Sequence, residues 1–96
     1  MKRVINRRVY DTESAEQIAQ TIHEVSCRET LYKRADEEYF IHREEWLNRY
    51  LIKYDEMDPS RELVIPLSDD EAIEWCEQNE IDAELIISEF EELIER

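Results

Sequence analysis

The stretch from Ser68 to Arg96 reads SDDEAIEWCEQNEIDAELIISEFEELIER, and the rest of the chain has to fold around it. It opens with a Ser-x-x-Glu capping box, in which Ser68 and Glu71 satisfy each other's backbone N–H groups. Apolar residues then recur at helical spacing: Ala72, Ile73, Cys76 and, after a break, Ala83, Ile86, Ile87, Phe90, Leu93 and Ile94. The spacing predicts one helix from Asp69 to Gln78 and a second helix whose N-cap is Asp82.

The composition describes a small, acidic, glycine-free chain. Its 96 residues are 42% hydrophobic, which indicates a single folded domain spanning residues 1–96. The absence of glycine excludes the Gly-rich phosphate loops of P-loop and dinucleotide-binding enzymes and the G-x-S-x-G nucleophile elbow. No apolar run approaches a membrane span, and the basic start lacks an apolar signal core, so we expect a cytoplasmic protein.

Charge is distributed very unevenly along the chain. The formal net charge is −14. The first ten residues contain Lys2, Arg3, Arg7 and Arg8 and no acid, whereas residues 55–96 contain sixteen acids and only two bases. Such a field repels nucleic acid and anionic membrane and attracts basic protein surfaces.

The sequence predicts an α+β fold: a small antiparallel sheet, a meander of about four strands, with an N-terminal helix and two C-terminal helices. Arg3 to Tyr10 is predicted as a short strand or tight hairpin turning at Asn6. Ala15, Ile18, Ala19, Ile22 and Val25 follow helical spacing and predict a helix from Glu13 to Ser26. The predicted strands are Thr30 to Lys33, Glu38 to Arg43, Trp46 to Tyr54 and Leu63 to Leu67, with a loose turn at Ala35-Asp36-Glu37 and a turn at Asp55 to Ser60. Pro66 confines the last strand to an edge or a strand end.

Both C-terminal helices carry stripes of carboxylates, which we predict to be the partner-binding residues. They are Asp70, Glu74 and Glu77 on the first helix, and Glu84, Glu91, Glu92 and Glu95 on the second, opposite Ile86, Phe90 and Leu93. Like charges four residues apart oppose helix formation by roughly 0.2–0.5 kcal/mol per pair. The functional interpretation is a surface that imitates a polyanion; the alternative is an acidic face that serves solubility alone.

Other chemistry has less support in the sequence. The basic start is expected to pair with the acidic half of the chain rather than with nucleic acid. His23 and Cys27 have the i, i+4 spacing of two zinc ligands on a helix, but no further ligand has diagnostic spacing, so we predict neither a metal nor a cofactor. A Cys/His nucleophile needs Cys27 or Cys76 beside His23 or His42 and a third orienting group, and we predict no enzyme activity.

The aromatic residues of the central strands leave a second interface open. Tyr32, Tyr39, Trp46, Tyr50 and Tyr54 either form a recognition patch or are covered by the helices.

Three stretches together resemble a known set of proteins. They are Arg3 to Ala19, Glu29 to Tyr32 with Tyr39 to His42, and Ile65 to Trp75. The chain resembles small proteins carried on phages and conjugative elements of Gram-positive bacteria, some of which are anti-CRISPR inhibitors. The chain differs from that pattern in two places. The family has a glycine-containing turn where this chain has Arg34 to Glu37, and the family has a Gly/Ser/Trp-rich loop where this chain has Trp46 to Arg61.

Charge and resemblance together predict an acidic inhibitor from a mobile element that acts in the cytoplasm of a host bacterium. Its partner would be a protein with a basic nucleic-acid-binding groove, such as a CRISPR effector. The alternative is a non-catalytic structural or regulatory adaptor, for example a homodimer formed through the sheet aromatics.

Overall fold

The computed structural model describes residues 1–23, 26–46 and 59–95, and its architecture is α+β. Six strands are followed by two helices and a short 3₁₀ turn. The elements are β1 (Lys2–Ile5), β2 (Arg8–Asp11), β3 (Glu16–His23), β4 (Cys27–Lys33), β5 (Tyr39–Glu45), β6 (Arg61–Leu67), α1 (Asp69–Gln78), α2 (Ala83–Glu89) and the 3₁₀ turn Glu91–Leu93.

The N-terminal residues form a separate two-stranded hairpin. β1 and β2 pair antiparallel, with Val4 opposite Val9 and Arg3 opposite Tyr10. The two residues between the strands, Asn6 and Arg7, have φ values of 50° and 68°. Left-handed backbone at both central positions is what a two-residue type I′ turn requires. The predicted tight hairpin is confirmed.

The predicted helix from Glu13 to Ser26 is wrong, because this part of the chain forms β3. Within residues 1–23 no helix is present. The β-branched side chains favour a strand, and a bulge at Ile18, between Gln17 and Ala19, interrupts the register with β4. The extra residue shifts the alternation, so that apolar residues fall on both faces of β3 and mimic helical spacing in the sequence.

β3, β4, β5 and β6 form a four-stranded antiparallel meander in chain order. The predicted strands at Thr30 to Lys33, Glu38 to Arg43 and Leu63 to Leu67 are confirmed as parts of β4, β5 and β6. β6 is an edge strand, as Pro66 predicts. The predicted strand from Trp46 to Tyr54 and the turn from Asp55 to Ser60 lie almost wholly in residues 47–58, outside the described residues.

The helices cover one face of the sheet and the hairpin contacts the other. The core between helices and sheet contains Leu31, Tyr39, Ile41, Ala72, Cys76 and Phe90, all buried. Phe40 points the opposite way because side chains alternate along β5, and its ring meets that of Tyr10 edge-on at 5.3 Å. Among the helices of the described residues, none has the length and apolar character needed to cross a bilayer.

Candidate functional site

The capping box at Ser68 fixes where the first acidic helix begins. The Glu71 N–H donates to the Ser68 hydroxyl at 3.1 Å, and the Ser68 N–H donates to the Glu71 carboxylate at 2.9 Å. Both hydrogen bonds of the predicted box are therefore present. The Ser68 backbone N–H, and to a lesser extent the Ser68 hydroxyl, lower the pKa of the Glu71 carboxyl. A charged Glu71 also suits the positive end of the helix dipole.

Burial of one side of α1 turns its predicted stripe toward solvent. Ala72 and Cys76, one turn apart, are fully buried against the sheet. Asp70, Glu74 and Glu77 lie on the other side of the helix and are exposed. The sequence therefore predicted both the helix and the orientation of this stripe correctly.

The second half of the acidic segment differs from the prediction in its secondary structure. α2 ends at Glu89, and Glu91 and Leu93 belong to a 3₁₀ turn rather than to a continuing helix. Phe90 is buried and packs on Tyr39, with ring centroids 5.1 Å apart. Leu93, predicted to face the core with Phe90, is instead 51% exposed. The four predicted carboxylates of this half are all exposed: Glu84, Glu91, Glu92 and Glu95.

The helical segment contains almost nothing that neutralises its own charge. From Asp69 to Glu95 the sequence has twelve acidic residues and no Lys, Arg or His. Six of the predicted binding residues form no ion pair within residues 1–23, 26–46 and 59–95: Asp70, Glu74, Glu77, Glu84, Glu92 and Glu95. Glu74 accepts a hydrogen bond from the side chain of Gln78 at 3.2 Å, which leaves its charge uncompensated.

Glu89 is the member of the acidic segment that the fold does use. Its carboxylate accepts from the Tyr39 hydroxyl at 2.6 Å and pairs with the Lys33 ammonium at 3.0 Å. Burial of Tyr39 and its bond to Glu89 raise the pKa of the phenol, and the bond to Glu89 is the main cause of a raised pKa at Lys33. This contact ties α2 to β4 and β5.

An open cleft of about 400 Å³ lies beside that contact. Lys33 and Tyr39 line it together with five acidic residues: Glu37, Asp69, Glu89, Glu91 and Glu92. The negative surface of the helices therefore extends onto the turn between β4 and β5.

The basic hairpin pairs inside the molecule, but not with the helices. Lys2 lies 3.8 Å from the Asp11 carboxylate, and Arg8 pairs with Glu38. Arg3 donates to the backbone carbonyl of Glu62 at 3.1 Å. Asp11 and Glu38 both lie outside residues 55–96, so the predicted pairing of the basic start with the acidic half is wrong for Lys2 and Arg8. These two bases therefore do not neutralise the charge of α1 and α2.

The sheet aromatics are mainly core residues rather than a recognition patch. Tyr39 and Trp46 are 5% and 4% exposed, and Tyr32 is half-buried with its ring stacked on Phe40 at 5.3 Å. Phe90 covers Tyr39 from the helix side. Tyr50 and Tyr54 lie outside the described residues. The described aromatics therefore give little support to an adaptor that binds through them.

A charged cluster around Glu29 has no local signal in the sequence. The Glu29 carboxylate accepts from the Trp75 indole at 3.1 Å and from Arg43 at 3.0 Å, and lies 2.7 Å from His23 Nε2. Burial acts to raise the pKa of Glu29, but the bonds from Trp75, Arg43 and His23 together outweigh it and lower the pKa. Trp75 comes from α1, 46 residues further along the chain, so only the fold brings these groups together.

The opposite face of the sheet holds a second polar cluster. Arg28 binds both carboxylate oxygens of Glu44, at 2.9 and 3.0 Å, and His42 Nε2 lies 3.0 Å from Glu62. His42, Glu44 and Glu62 place possible metal-ligand atoms within 4.8 Å of one another. The bidentate guanidinium of Arg28 already compensates Glu44, so these contacts need no cation.

His23 and Cys27 do not have the i, i+4 arrangement on a helix that a pair of zinc ligands would need. His23 and Cys27 are cross-strand neighbours on β3 and β4 rather than one turn apart on a helix. Cys27 and Cys76 are both buried free thiols. Burial raises the pKa of Cys76 to about 11, so this thiol is protonated at neutral pH and is a poor nucleophile.

Comparison with known proteins adds no relative to these observations. No protein-family model matches the chain, and no curated protein or solved structure matches it.

Proposed function

We propose that this chain is a non-catalytic inhibitor whose acidic helical surface occupies the basic nucleic-acid-binding groove of another protein. The observation that carries the proposal is the charge of α1 and the α2 region: the sequence from Asp69 to Glu95 has twelve acids and no base, and six of these acids are exposed and form no ion pair within residues 1–23, 26–46 and 59–95. The resemblance to small proteins of phages and conjugative elements adds the target class, a CRISPR effector in the cytoplasm of the host bacterium.

The spacing of the α1 stripe supports competition with a nucleic-acid strand. Asp70 and Glu77, with Glu74 between them, are seven residue steps apart along the helix, or roughly 10 Å at about 1.5 Å per residue. A single nucleic-acid strand carries one charge per ~3.4 Å of rise. The stripe therefore comes within about a factor of two of the charge density of one strand. Lysines and arginines that bind phosphates would find carboxylates at similar intervals.

The cost of this arrangement to the free protein supports the same function. Glu74 and Glu77 repel their neighbours on the helix, at roughly 0.2–0.5 kcal/mol per like-charge pair one turn apart. A basic groove supplies the counter-charges that the chain lacks, so binding relieves the repulsion. The buried aromatics favour this surface over the sheet as the interface.

The test measures whether the chain displaces labelled target DNA from a guide-loaded Cas9-type effector, followed by fluorescence anisotropy. We expect displacement at low ionic strength and a steep loss of affinity as NaCl is raised, because salt screens charge pairs. The variant Glu74→Lys/Glu77→Lys is expected to displace DNA much less effectively. Adding Glu92→Lys and Glu95→Lys should abolish displacement.

The matched control is Glu13→Lys/Glu16→Lys, two exposed positions before and at the start of β3. Both double variants shift the formal net charge of −14 by the same amount. Only the variant on α1 should lose activity if the helical surface is the binding site. Full displacement by the fourfold helix variant, with its circular dichroism unchanged, would show that the proposal is wrong.

A further inference from the structure

The outer edge of β3 has no strand partner among the residues that the structure describes. β3 is the first strand of the sheet, and within the described part of the chain it pairs with β4 alone. The N–H and C=O groups that point away from β4 therefore have no strand partner there. An unpaired edge of this kind is a template for another strand.

The composition of β3 does nothing to discourage such pairing. Residues Gln17 to Ile22 form an uncharged run in a chain of which 40% is charged. The strand contains no proline, lysine or arginine, which are the residues that natural edge strands use to block pairing. Ile22 is 53% exposed. The bulge at Ile18 lies near the start of the strand, and the register from Ala19 to His23 is regular.

The other edge of the same sheet is blocked. Pro66 removes one N–H from β6, and the Arg3 guanidinium binds the carbonyl of Glu62 at 3.1 Å. Pro66 and the Arg3 hydrogen bond thus both hinder the pairing of a further strand with β6, whereas the regular part of β3 has neither feature. The contrast indicates that β3 is an interaction surface.

We propose that β3 pairs antiparallel with β3 of a second copy of this chain, which joins two four-stranded sheets across a two-fold axis. The second copy supplies a strand of equal length with the same uncharged run, and an isologous contact of this type is closed. Because neither strand brings a charge to the centre of the contact, the pairing avoids like-charge neighbours across the strands.

The position of the acidic helices favours the same occupant. α1 packs against β5 and β6, and β5, the nearer of the two, lies two strand spacings from β3, about 10 Å at ~4.8 Å each. That distance exceeds the Debye length of about 8 Å at physiological ionic strength. Two highly negative molecules therefore meet where their repulsion is weakest, and both acidic surfaces remain free.

The test uses sedimentation equilibrium of the full chain over a wide concentration range, with two matched variants. Ile22→Lys adds a charge to the open edge, and Ile65→Lys adds the same charge to a half-exposed isoleucine of the blocked edge. We expect Ile22→Lys to raise the dimer dissociation constant by about tenfold or more. Ile65→Lys should leave the dissociation constant close to that of the wild type.

Hydrogen exchange of the unmodified chain gives a second readout that does not depend on the folding of a variant. The amides of β3 should gain protection as concentration rises, while those of β6 should not. Added NaCl should strengthen the dimer because it screens the repulsion between the copies. Salt weakens the proposed binding to a basic groove, so the two proposals fail independently.

Three results would overturn the inference. The first is a monomer at every concentration. The second is a dimer whose dissociation constant is not raised by Ile22→Lys, or is raised equally by Ile22→Lys and Ile65→Lys. The third is protection of β3 that appears only when a foreign protein is added, which would assign the edge to an unrelated strand.

Discussion

Arg7 shows how a chain without glycine makes its tightest turn. Asn6 and Arg7 have left-handed backbone in the β1–β2 hairpin, and Glu37 and Glu80 have it at the turns that follow β4 and α1. Asparagine tolerates this conformation, but a residue with a larger side chain pays roughly 1–2 kcal/mol for it. The cost at Arg7 is therefore stored in the native state.

We predict that Arg7→Gly stabilises the protein by about 0.5–1 kcal/mol. Glycine removes the steric cost, part of which is offset by its greater freedom in the unfolded chain, and Asn-Gly is the preferred pair for this turn. The midpoint of thermal unfolding should rise by roughly 2–8 °C. Arg7→Ala is the control: it removes the charge but keeps Cβ, so a similar gain in that variant would attribute the effect to charge instead.

Individual residues were predictable wherever their signal is local. Ser68 and Glu71 indicated the capping box, Pro66 indicated an edge strand, and the exposure of the three carboxylates on α1 followed from the spacing of Ala72 and Cys76. The cluster of Glu29 with Trp75, Arg43 and His23 was not predictable, because those residues meet only through the pairing of strands and the packing of α1.

At the scale of elements, the capping box is the feature with the most measurable effect. We predict that Ser68→Ala lowers the free energy of unfolding by about 1 kcal/mol at neutral pH, the usual cost of losing an N-cap hydroxyl. Ser68→Asp should restore most of the loss, since aspartate also caps. Ser88→Ala, at an exposed position of α2, is the control and should cost little. Chemical unfolding in urea measures all three.

The contribution of the Glu71 carboxylate to this cap should depend on pH, and Glu71→Ala removes that contribution. The pKa of Glu71 is lower in the folded protein than its ordinary value of 4.5. The Glu71 contribution is therefore fully present above pH 4.5 and is lost as pH falls through the lower, folded pKa. The difference in the free energy of unfolding between wild type and Glu71→Ala should shrink over that acidic range; a difference that stays constant would mean that the charge of the carboxylate plays no part in the cap.

The largest error at this scale was the helix predicted from Glu13 to Ser26. Apolar spacing favoured a helix, but Ile18, Thr21 and Ile22 are β-branched, and a bulge at Ile18 disguises the alternation of a strand. Pairing with β4 then decides the outcome, because tertiary contacts override a local period. α1 was predictable to the residue since its cap, its buried face and its acidic face all agree.

At the scale of the whole molecule, self-repulsion limits stability. The formal net charge of −14 is largely concentrated in the C-terminal segment, where the twelve acids from Asp69 to Glu95 have no base among them and Lys33 of β4 pairs with Glu89. Uncompensated charge of one sign opposes compactness. Folding therefore depends on the core around Leu31, Ile41 and Phe90 to outweigh it.

We predict that NaCl raises the midpoint of thermal unfolding between low and physiological ionic strength, over which the Debye length falls from roughly 30 to 8 Å. Measurements at high dilution keep dimerisation from contributing. The variant Glu74→Lys/Glu77→Lys should show a weaker dependence on salt, because it has less repulsion to screen. A midpoint that falls with salt would instead mean that internal ion pairs dominate.

The hairpin and the helices lie on opposite faces of the sheet, and this separation has a consequence for encounters in solution. Four basic residues belong to the hairpin on the Tyr10 side and twelve acids to the helical segment on the Phe90 side, which gives the molecule an electric dipole moment directed across the sheet. A positively charged cavity exerts a torque on such a dipole before contact. The protein should therefore approach such a cavity with its helices facing the cavity and its hairpin facing solvent, which raises the fraction of encounters that are correctly oriented.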